Sequence, residues 1–321
     1  MSDSKQRLRL AILMGGPSPE HDISLATGSL IARHIDRSKY DVREVSIPKD
    51  AKWEVPNNID VAFIAMHGEY GEDGTIQALL ETVNVPYTGS GVAASALAMD
   101  KVKSAELFRA RGMSVPDYLS VEYAEWKIVP YKTVGAVRRF GYPAIVKPVD
   151  CGSSVGVTVV QATAQLADAL TTAFSFSPRV MIQKYISGHE VTCGILDEGG
   201  QTKPVALPPT QIIQRQAKFF DYSAKYTQGA TEEITPPRLP LTTIQKIQET
   251  ALAAHRALGC SGMSRTDMIV ADDDIYVLET NTIPGMTATS LYPQAAAVAG
   301  IPFTQLLNKL IQEAITRKRH A

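Results

Sequence analysis

Residues 265–290 read RTDMIVADDDIYVLETNTIPGMTATS. Positions 268–270 and 275–278 are apolar and rich in β-branched and aromatic residues. The aspartates between them, Asp272, Asp273 and Asp274, have turn chemistry. The expected structure is a hairpin of two short strands, then a glycine-containing loop. Centring the hairpin on Asp273 sets Asp267 opposite Glu279 and Arg265 opposite Asn281. Side chains alternate faces along a strand, so these four share one face. Two carboxylates, an amide oxygen and a guanidinium then stand together. Hard oxygen donors of this kind suit Mg²⁺, which keeps waters and bridges to substrate phosphates. The plain alternative is a solvated hairpin edge with a salt bridge. Asn281-Thr282-Ile283-Pro284-Gly285 follows at once and supplies backbone N–H donors beside the acidic face, which favours a functional role.

The 321 residues suffice for two or three domains of about 100–150 residues each. With 45% hydrophobic and 20% charged residues, the chain belongs with ordinary globular proteins. Lys plus Arg is 32 and Asp plus Glu is 33, a net charge of −1 that attracts neither nucleic acid nor an anionic membrane. No apolar run approaches the roughly 18 residues of a membrane span. The N-terminal apolar core is too short for a signal peptide and runs straight into a strand-turn pattern. Cys151, Cys193 and Cys260 are odd in number and lack metal-like or redox spacing. The expectation is a reduced, cytoplasmic protein with no nucleic-acid or membrane partner.

Along the chain, 8–14 is a near-continuous apolar run ended by Gly15-Gly16, the pattern of a buried parallel strand. An amphipathic helix follows, with Ile23, Ala26, Leu30 and Ile31 on one face. Glu20 at its start is either a favourable charge at a helix N-terminus or a carboxylate at the sheet edge where α/β proteins bind ligands. The turn lacks G-x-G-x-x-G, so a dinucleotide site is not expected. Strands at 42–47 and 59–66 lead to His67-Gly68-Glu69-Tyr70-Gly71-Glu72-Asp73-Gly74. His67 again stands at a strand's C-terminal end, facing the same edge as Glu20. A domain boundary is expected near 94–101, before a helix carrying Lys101 and Lys103.

Further on, 142–148 reads as a strand ending in Lys147, then the loop Asp150-Cys151-Gly152-Ser153-Ser154-Val155-Gly156, then a strand at 157–160. A glycine and serine loop of this kind can fold over phosphates, and Lys147 favours that over a plain turn. Residues 152–156 also match G-x-S-x-G, but a nucleophile elbow needs a strand-to-helix turn. The only histidine after Asp267 is His320 in the tail, so a hydrolase is disfavoured. Strands are expected at 179–185 and 191–196. Residues 211–237 have weak periodicity and the length of a binding lid. Helices are expected at 241–258, ending at Gly259, and around Phe303 to Ile311. The terminal Arg317-Lys318-Arg319 is read as complementing a helix dipole.

Taken together, these motifs resemble the D-alanine–D-alanine ligase family of the ATP-grasp superfamily. The resemblance rests on Gly15-Gly16 with Glu20 and Ser24, HGxxGEDG from His67, TGSG from Thr88 and MDK from Met99. It continues with KP and GSSVG between Lys147 and Gly156, DYxAKY from Asp221, RxD at Arg265 and ExNTxPGMTxxS from Glu279. It spans nearly the whole chain, and the ordered set is far more specific than any one motif.

The resemblance implies an α/β fold, with an N-terminal Rossmann-like parallel β/α domain followed by a two-domain ATP-grasp fold. The expected limits are 1–98 for substrate binding, 99–183 for the central subdomain and 184–321 for the subdomain with the metal and catalytic site. It further implies a homodimeric enzyme that joins two D-alanines through an acyl phosphate for peptidoglycan synthesis. D-alanine–D-lactate, D-alanine–D-serine and other carboxylate–amine ligases are the alternatives. Asp267, Glu279 and Asn281 would hold two Mg²⁺ or Mn²⁺ ions. Lys101, Lys147, Ser153, Ser154 and Lys225 would contact ATP phosphates, Gln183, Lys184 and Ile186 the adenine, and Glu190 the ribose. Glu20 and His67 would take the first substrate, and Lys225 and Ser290 the second. Arg265 and the Gly285 N–H would stabilise the oxyanion, and Ser153 and Tyr226 would link to Glu20 to close the lid. Gln183 departs from the glutamate often found at its place.

Overall fold

The computed structural model describes residues 7–214, 231–287 and 289–320. Three sheets organise it, and they include strands at 118–122, 205–206, 210–214 and 231–234 that the sequence reading did not expect. The first is parallel, in the order β2-β1-β3, built from β1 (Leu8–Gly15), β2 (Tyr40–Ile47) and β3 (Val61–Ile64). Its strand β1 is covered on both faces by α1 (His21–His34), α2 (Thr75–Thr82) and later helices, so Leu10 to Leu13 have no exposure. Helices α3 (Val92–Met99) and α4 (Lys101–Ala110) then run end to end, with Asp100 capping α4 through the Val102 and Lys103 amides.

The second sheet is antiparallel, in the order β4-β7-β5-β6: β4 (Tyr118–Glu122), β5 (Ala144–Pro148), β6 (Thr158–Val160) and β7 (Arg179–Lys184). Helices α5 (Tyr123–Ile128), α6 (Pro130–Phe140) and α7 (Leu166–Phe174) belong to this part of the chain. The glycine and serine loop joins β5 to β6, strand to strand, so the elbow geometry of a hydrolase is absent there.

The third sheet runs β11-β10-β8-β12-β13, with β9 added beside β8. Its strands are β8 (His189–Leu196), β9 (Val205–Ala206), β10 (Thr210–Gln214), β11 (Thr231–Ile234), β12 (Met263–Ala271) and β13 (Asp274–Asn281). The two ends of the expected lid are therefore paired strands, β10 with β11. Helix α8 (Leu241–Leu258) packs on this sheet and ends at Gly259, whose φ of 72° makes the left-handed cap. Helix α4 joins the same core through Val102, Ala105 and Phe108.

The chain closes by returning to the first sheet. Helices α9 (Leu291–Val298) and α10 (Phe303–His320) place Tyr292, Leu306, Leu310 and Ile311 in the first sheet's core. Asn308 Oδ1 accepts from Tyr40 Oη at 2.7 Å. Arg317 does more than meet a helix dipole: it donates to the carbonyls of Gly89 (2.7 Å) and Tyr87 (2.8 Å). It also lies 3.5 Å from Glu313, which is 3% exposed.

Burial, with repulsion from Asp197, pushes the Glu313 carboxyl up to about 7 against the pull of Arg317. The folded chain holds this proton more tightly than the unfolded chain, so stability falls as pH rises from about 4.5 through about 7. Glu313→Gln is expected to be more stable than the parent at about pH 8, by up to about 3 kcal/mol, with the gap closing below about pH 5. Thermal melts across that range check it, and a pH-independent difference would refute it.

Candidate active site

The hairpin of β12 and β13 differs from the expected one in a way that leaves its business end intact. Ala271 pairs with Asp274, so the turn holds two residues, Asp272 and Asp273, and is not centred on Asp273. That register continues to Met268 opposite Val277. Between Met268 and Asp267 it shifts, and Asp267 then faces Glu279 and Arg265 faces Asn281. The extra residue is Leu278, a β-bulge, which reverses the parity of β13. Val277 and Thr280 are buried toward the core, while Leu278, Glu279 and Asn281 line the opposite side.

That side opens on a cleft of about 880 Å³ between the three sheets. Sixteen of the candidate residues line it: Glu20, His67, Lys101, Lys147, Ser153, Ser154, Gln183, Lys184, Ile186, Glu190, Arg265, Asp267, Glu279, Asn281, Gly285 and Ser290. Lys225 and Tyr226 lie outside the described residues.

Each wall is held by its own backbone logic. Beside the first sheet, Ser24 Oγ accepts the His67 N–H at 3.0 Å, and Thr27 Oγ1 meets His67 Nε2 at 3.1 Å. These bonds tie the end of β3 to the first turns of α1. Glu20 does not cap that helix with its side chain. Its carboxylate instead crosses to the β5–β6 loop, where Ser153 Oγ donates to Oε1. Ser153 and Ser154 both adopt left-handed backbone, φ 50° and 58°, which non-glycine residues seldom do without support. Lys101 Nζ reaches the same loop, donating to the Cys151 carbonyl at 2.6 Å, and sits 3.5 Å from Glu279.

On the hairpin, Arg265 grips Asp267 with two donors, Nε at 3.0 Å and Nη2 at 2.9 Å. Thr192 donates to Asp267 Oδ1 at 2.5 Å and Asn281 Nδ2 to Oδ2 at 3.3 Å. Burial disfavours the Arg265 charge, but Asp267, Glu279 and Glu72 more than offset it and hold the guanidinium ionised. Burial also pulls Lys147 down to about 8, with Lys101 pushing the same way and Glu279 opposing. A second anion beside Lys147 would keep it charged to higher pH. At Gly285, an added Cβ would lie 2.8 Å from Ser290 Oγ, so any side chain there would push the Ser290 hydroxyl aside. Gln183 is 1% exposed, and its Nε2 has no partner among the described residues. A buried amide with an unused donor suits a ligand edge carrying both acceptors and donors, as a purine does.

Glu72 is the site residue that sequence reasoning passed over. Its Oε2 accepts the Gly68 N–H at 2.7 Å and its Oε1 the Ile283 N–H at 3.3 Å. Burial, then repulsion from Glu20, pushes its carboxyl up to about 8. Its place in HGxxGEDG was visible, but not a contact spanning 211 positions.

The donor set of Asp267, Glu279 and Asn281 fits a hard divalent cation: two carboxylates and an amide, on one face, with Asn281 within hydrogen-bonding distance of Asp267. Among the described residues, no helix is long and apolar enough to cross a membrane.

Comparison with known proteins gives a consistent answer. The family model described as "D-ala D-ala ligase C-terminus" matches residues 107–312, and "D-ala D-ala ligase N-terminus" matches 9–58 and 54–90. A D-alanine–D-alanine ligase of Syntrophobacter fumaroxidans is 46% identical over 315 residues, covering 97% of this chain and 99% of its own. A Bacillus anthracis D-alanine–D-alanine ligase complexed with ATP superposes with a TM-score of 0.82 at 34% identity, covering 98% of this chain and 99% of that one. The VanG D-Ala:D-Ser ligase of Enterococcus faecalis superposes with a TM-score of 0.85 at 30% identity, covering 96% and 100%.

If Ser153 holds the β5–β6 loop down through Glu20, then Ser153→Ala should speed amide exchange across 151–157. About tenfold is expected for the loss of one charge-assisted bond, with β12 unaffected. Unchanged exchange would show that the bond does not restrain the loop.

Proposed function

The chain belongs to the D-alanine–D-alanine ligase family, and we propose that it joins two D-alanine molecules to D-alanyl-D-alanine with ATP, for peptidoglycan precursors. The observation that carries this is the single cleft in which Glu20 faces the β5–β6 loop while Lys101, Lys147 and Arg265 surround the carboxylates of the bulged hairpin. We assign binding of the first substrate to residues 1–98, the phosphate-covering loop to 99–183 and the reacting end of the cleft to 184–321.

The chemical difficulty is electrostatic. The first D-alanine's carboxylate must attack the γ-phosphorus of a polyanion, displacing ADP and forming an acyl phosphate. One pair of unit charges about 4 Å apart costs ~4 kcal/mol at an effective dielectric of 20. Lys101 and Lys147 offset the phosphate charge from beneath the β5–β6 loop, aided by Ser153 and Ser154. Two Mg²⁺ or Mn²⁺ ions held by Asp267, Glu279 and Asn281 would neutralise the transferring phosphoryl oxygens. Gln183, Lys184 and Ile186 border the purine and Glu190 the ribose. Glu20, with His67 beside it, holds the first ammonium and so turns the carboxylate toward the phosphate. The second D-alanine's amine then attacks the acyl carbon, and phosphate leaves with the C–O electron pair. Arg265 and the Gly285 N–H face the oxyanion of that step, with Ser290 and Lys225 on the second carboxylate and Tyr226 closing over them. On family grounds the enzyme works in the cytoplasm as a homodimer.

The direct test is product mass and phosphate release with ATP, Mg²⁺ and D-alanine, run beside D-serine and D-lactate as second substrates. D-Alanyl-D-alanine should dominate. A preference for D-serine would place the chain with the D-Ala:D-Ser enzymes. Asp267→Asn should lower turnover by roughly a hundredfold or more while the protein stays folded by circular dichroism. Full activity would remove Asp267 from the cation site.

A further inference from the structure

Glu72 joins two loops that belong to different sheets and to different halves of the reaction. Gly68 follows His67 in the first domain, and a Cβ placed on it would stand 3.1 Å from Glu20 Oε2. This loop therefore lies against the carboxylate that faces the first substrate's ammonium. Ile283 precedes Pro284-Gly285 and follows Asn281, so its loop carries the oxyanion donor. One carboxylate takes an N–H from each, at 2.7 and 3.3 Å. It is also near enough to both Glu20 and Arg265 to feel their charges, and these are the two groups that must hold opposite ends of one small amino acid.

We propose that Glu72 is a positioning residue that fixes the spacing between the ammonium wall and the oxyanion wall, and so sets the reach of the first D-alanine's carboxylate. This rests on the ligase reading above. D-Alanine is too short to absorb an error in that spacing, and a misplacement of about 1 Å can cost about a hundredfold in rate. Glutamine at this position sets an NH₂ against one of the two N–H donors, where the glutamate, protonated or not, presents an oxygen to each. Aspartate is one methylene too short to reach both.

The test compares wild type, Glu72→Gln and Glu72→Asp. Dipeptide synthesis is measured beside formation of D-alanine hydroxamate, in which hydroxylamine replaces the second amine, its nitrogen bonding to the acyl carbon as phosphate leaves. Both products should fall together by roughly a hundredfold, with the KM for ATP within about threefold of wild type and the melting temperature unchanged. Hydroxamate formation that survives while dipeptide synthesis falls would overturn the proposal, because Glu72 would then act on the second amine. Variants with wild-type rates, or with ATP affinity and melting temperature lost in step with activity, would overturn it as well. A wild-type enzyme that makes no dipeptide would instead sink the ligase reading.

Discussion

Leu278 is an extra residue in one strand of a hairpin, and the whole cleft depends on it. The two-residue turn at Asp272-Asp273 starts a register in which Asp267 would face Leu278 and Arg265 would face Thr280. Continued without interruption, it would send Glu279 to the core side. There, Thr266 and Thr280 meet at 3.0 Å beside Met268 and Val277, neither of which has any exposure. An unpaired carboxylate at such a place costs several kcal/mol. The bulge resolves the conflict by spending one residue where the cleft is wide enough to take Leu278. Above it the strand obeys the turn, and below it the strand obeys the chemistry.

The charges on that face are arranged against one another before any ligand arrives. Arg265 is committed to Asp267, and Lys101 is shared between Glu279 and the Cys151 carbonyl. Lys147 and Glu72 are each pushed to about 8, from opposite directions, by burial. A triphosphate entering the cleft favours the protonated form of Lys147, and the pairs already formed need little reorganisation. Fixed, desolvated charges of this kind are worth far more to a charge-developing reaction than the same groups in water.

Much of this was legible in the sequence, and the failures have physical causes. The apolar run before Gly15-Gly16 announced a buried parallel strand, and the ends of such strands placed Glu20 and His67 at one edge. The hairpin's facing pairs were read correctly from a wrong centre. A turn on Asp273 without a bulge and a two-residue turn with one give the same partners at Arg265 and Asp267. Pattern alone cannot separate them, because residues 275–278 are apolar throughout, and the two readings differ only in whether Val277 or Leu278 points inward. Strands β10 and β11 were missed because neither alternates cleanly and no tight turn joins them to mark a hairpin. Arg317 looked like a dipole partner because its local sequence is all that a helix end displays, whereas its carbonyl partners sit 228 and 230 positions earlier.

Lys101 links the β5–β6 loop, the flap of the cleft, to the hairpin. Its ammonium is almost fully buried and has two neighbours, a flap carbonyl at 2.6 Å and a hairpin carboxylate at 3.5 Å. Any movement of the flap away from the cleft draws a buried cation from Glu279 or leaves a carbonyl without its donor. The second restraint, from Ser153 to Glu20, ties the same loop to the first domain. Three sheets thus meet at one short loop, through Lys101 on its Cys151 carbonyl and through its own Ser153 on Glu20, and the loop's backbone is itself left-handed at Ser153 and Ser154. Such a loop is stable only while both partners are in place. Glu20, Lys101 and Glu279 therefore constrain one another through this loop.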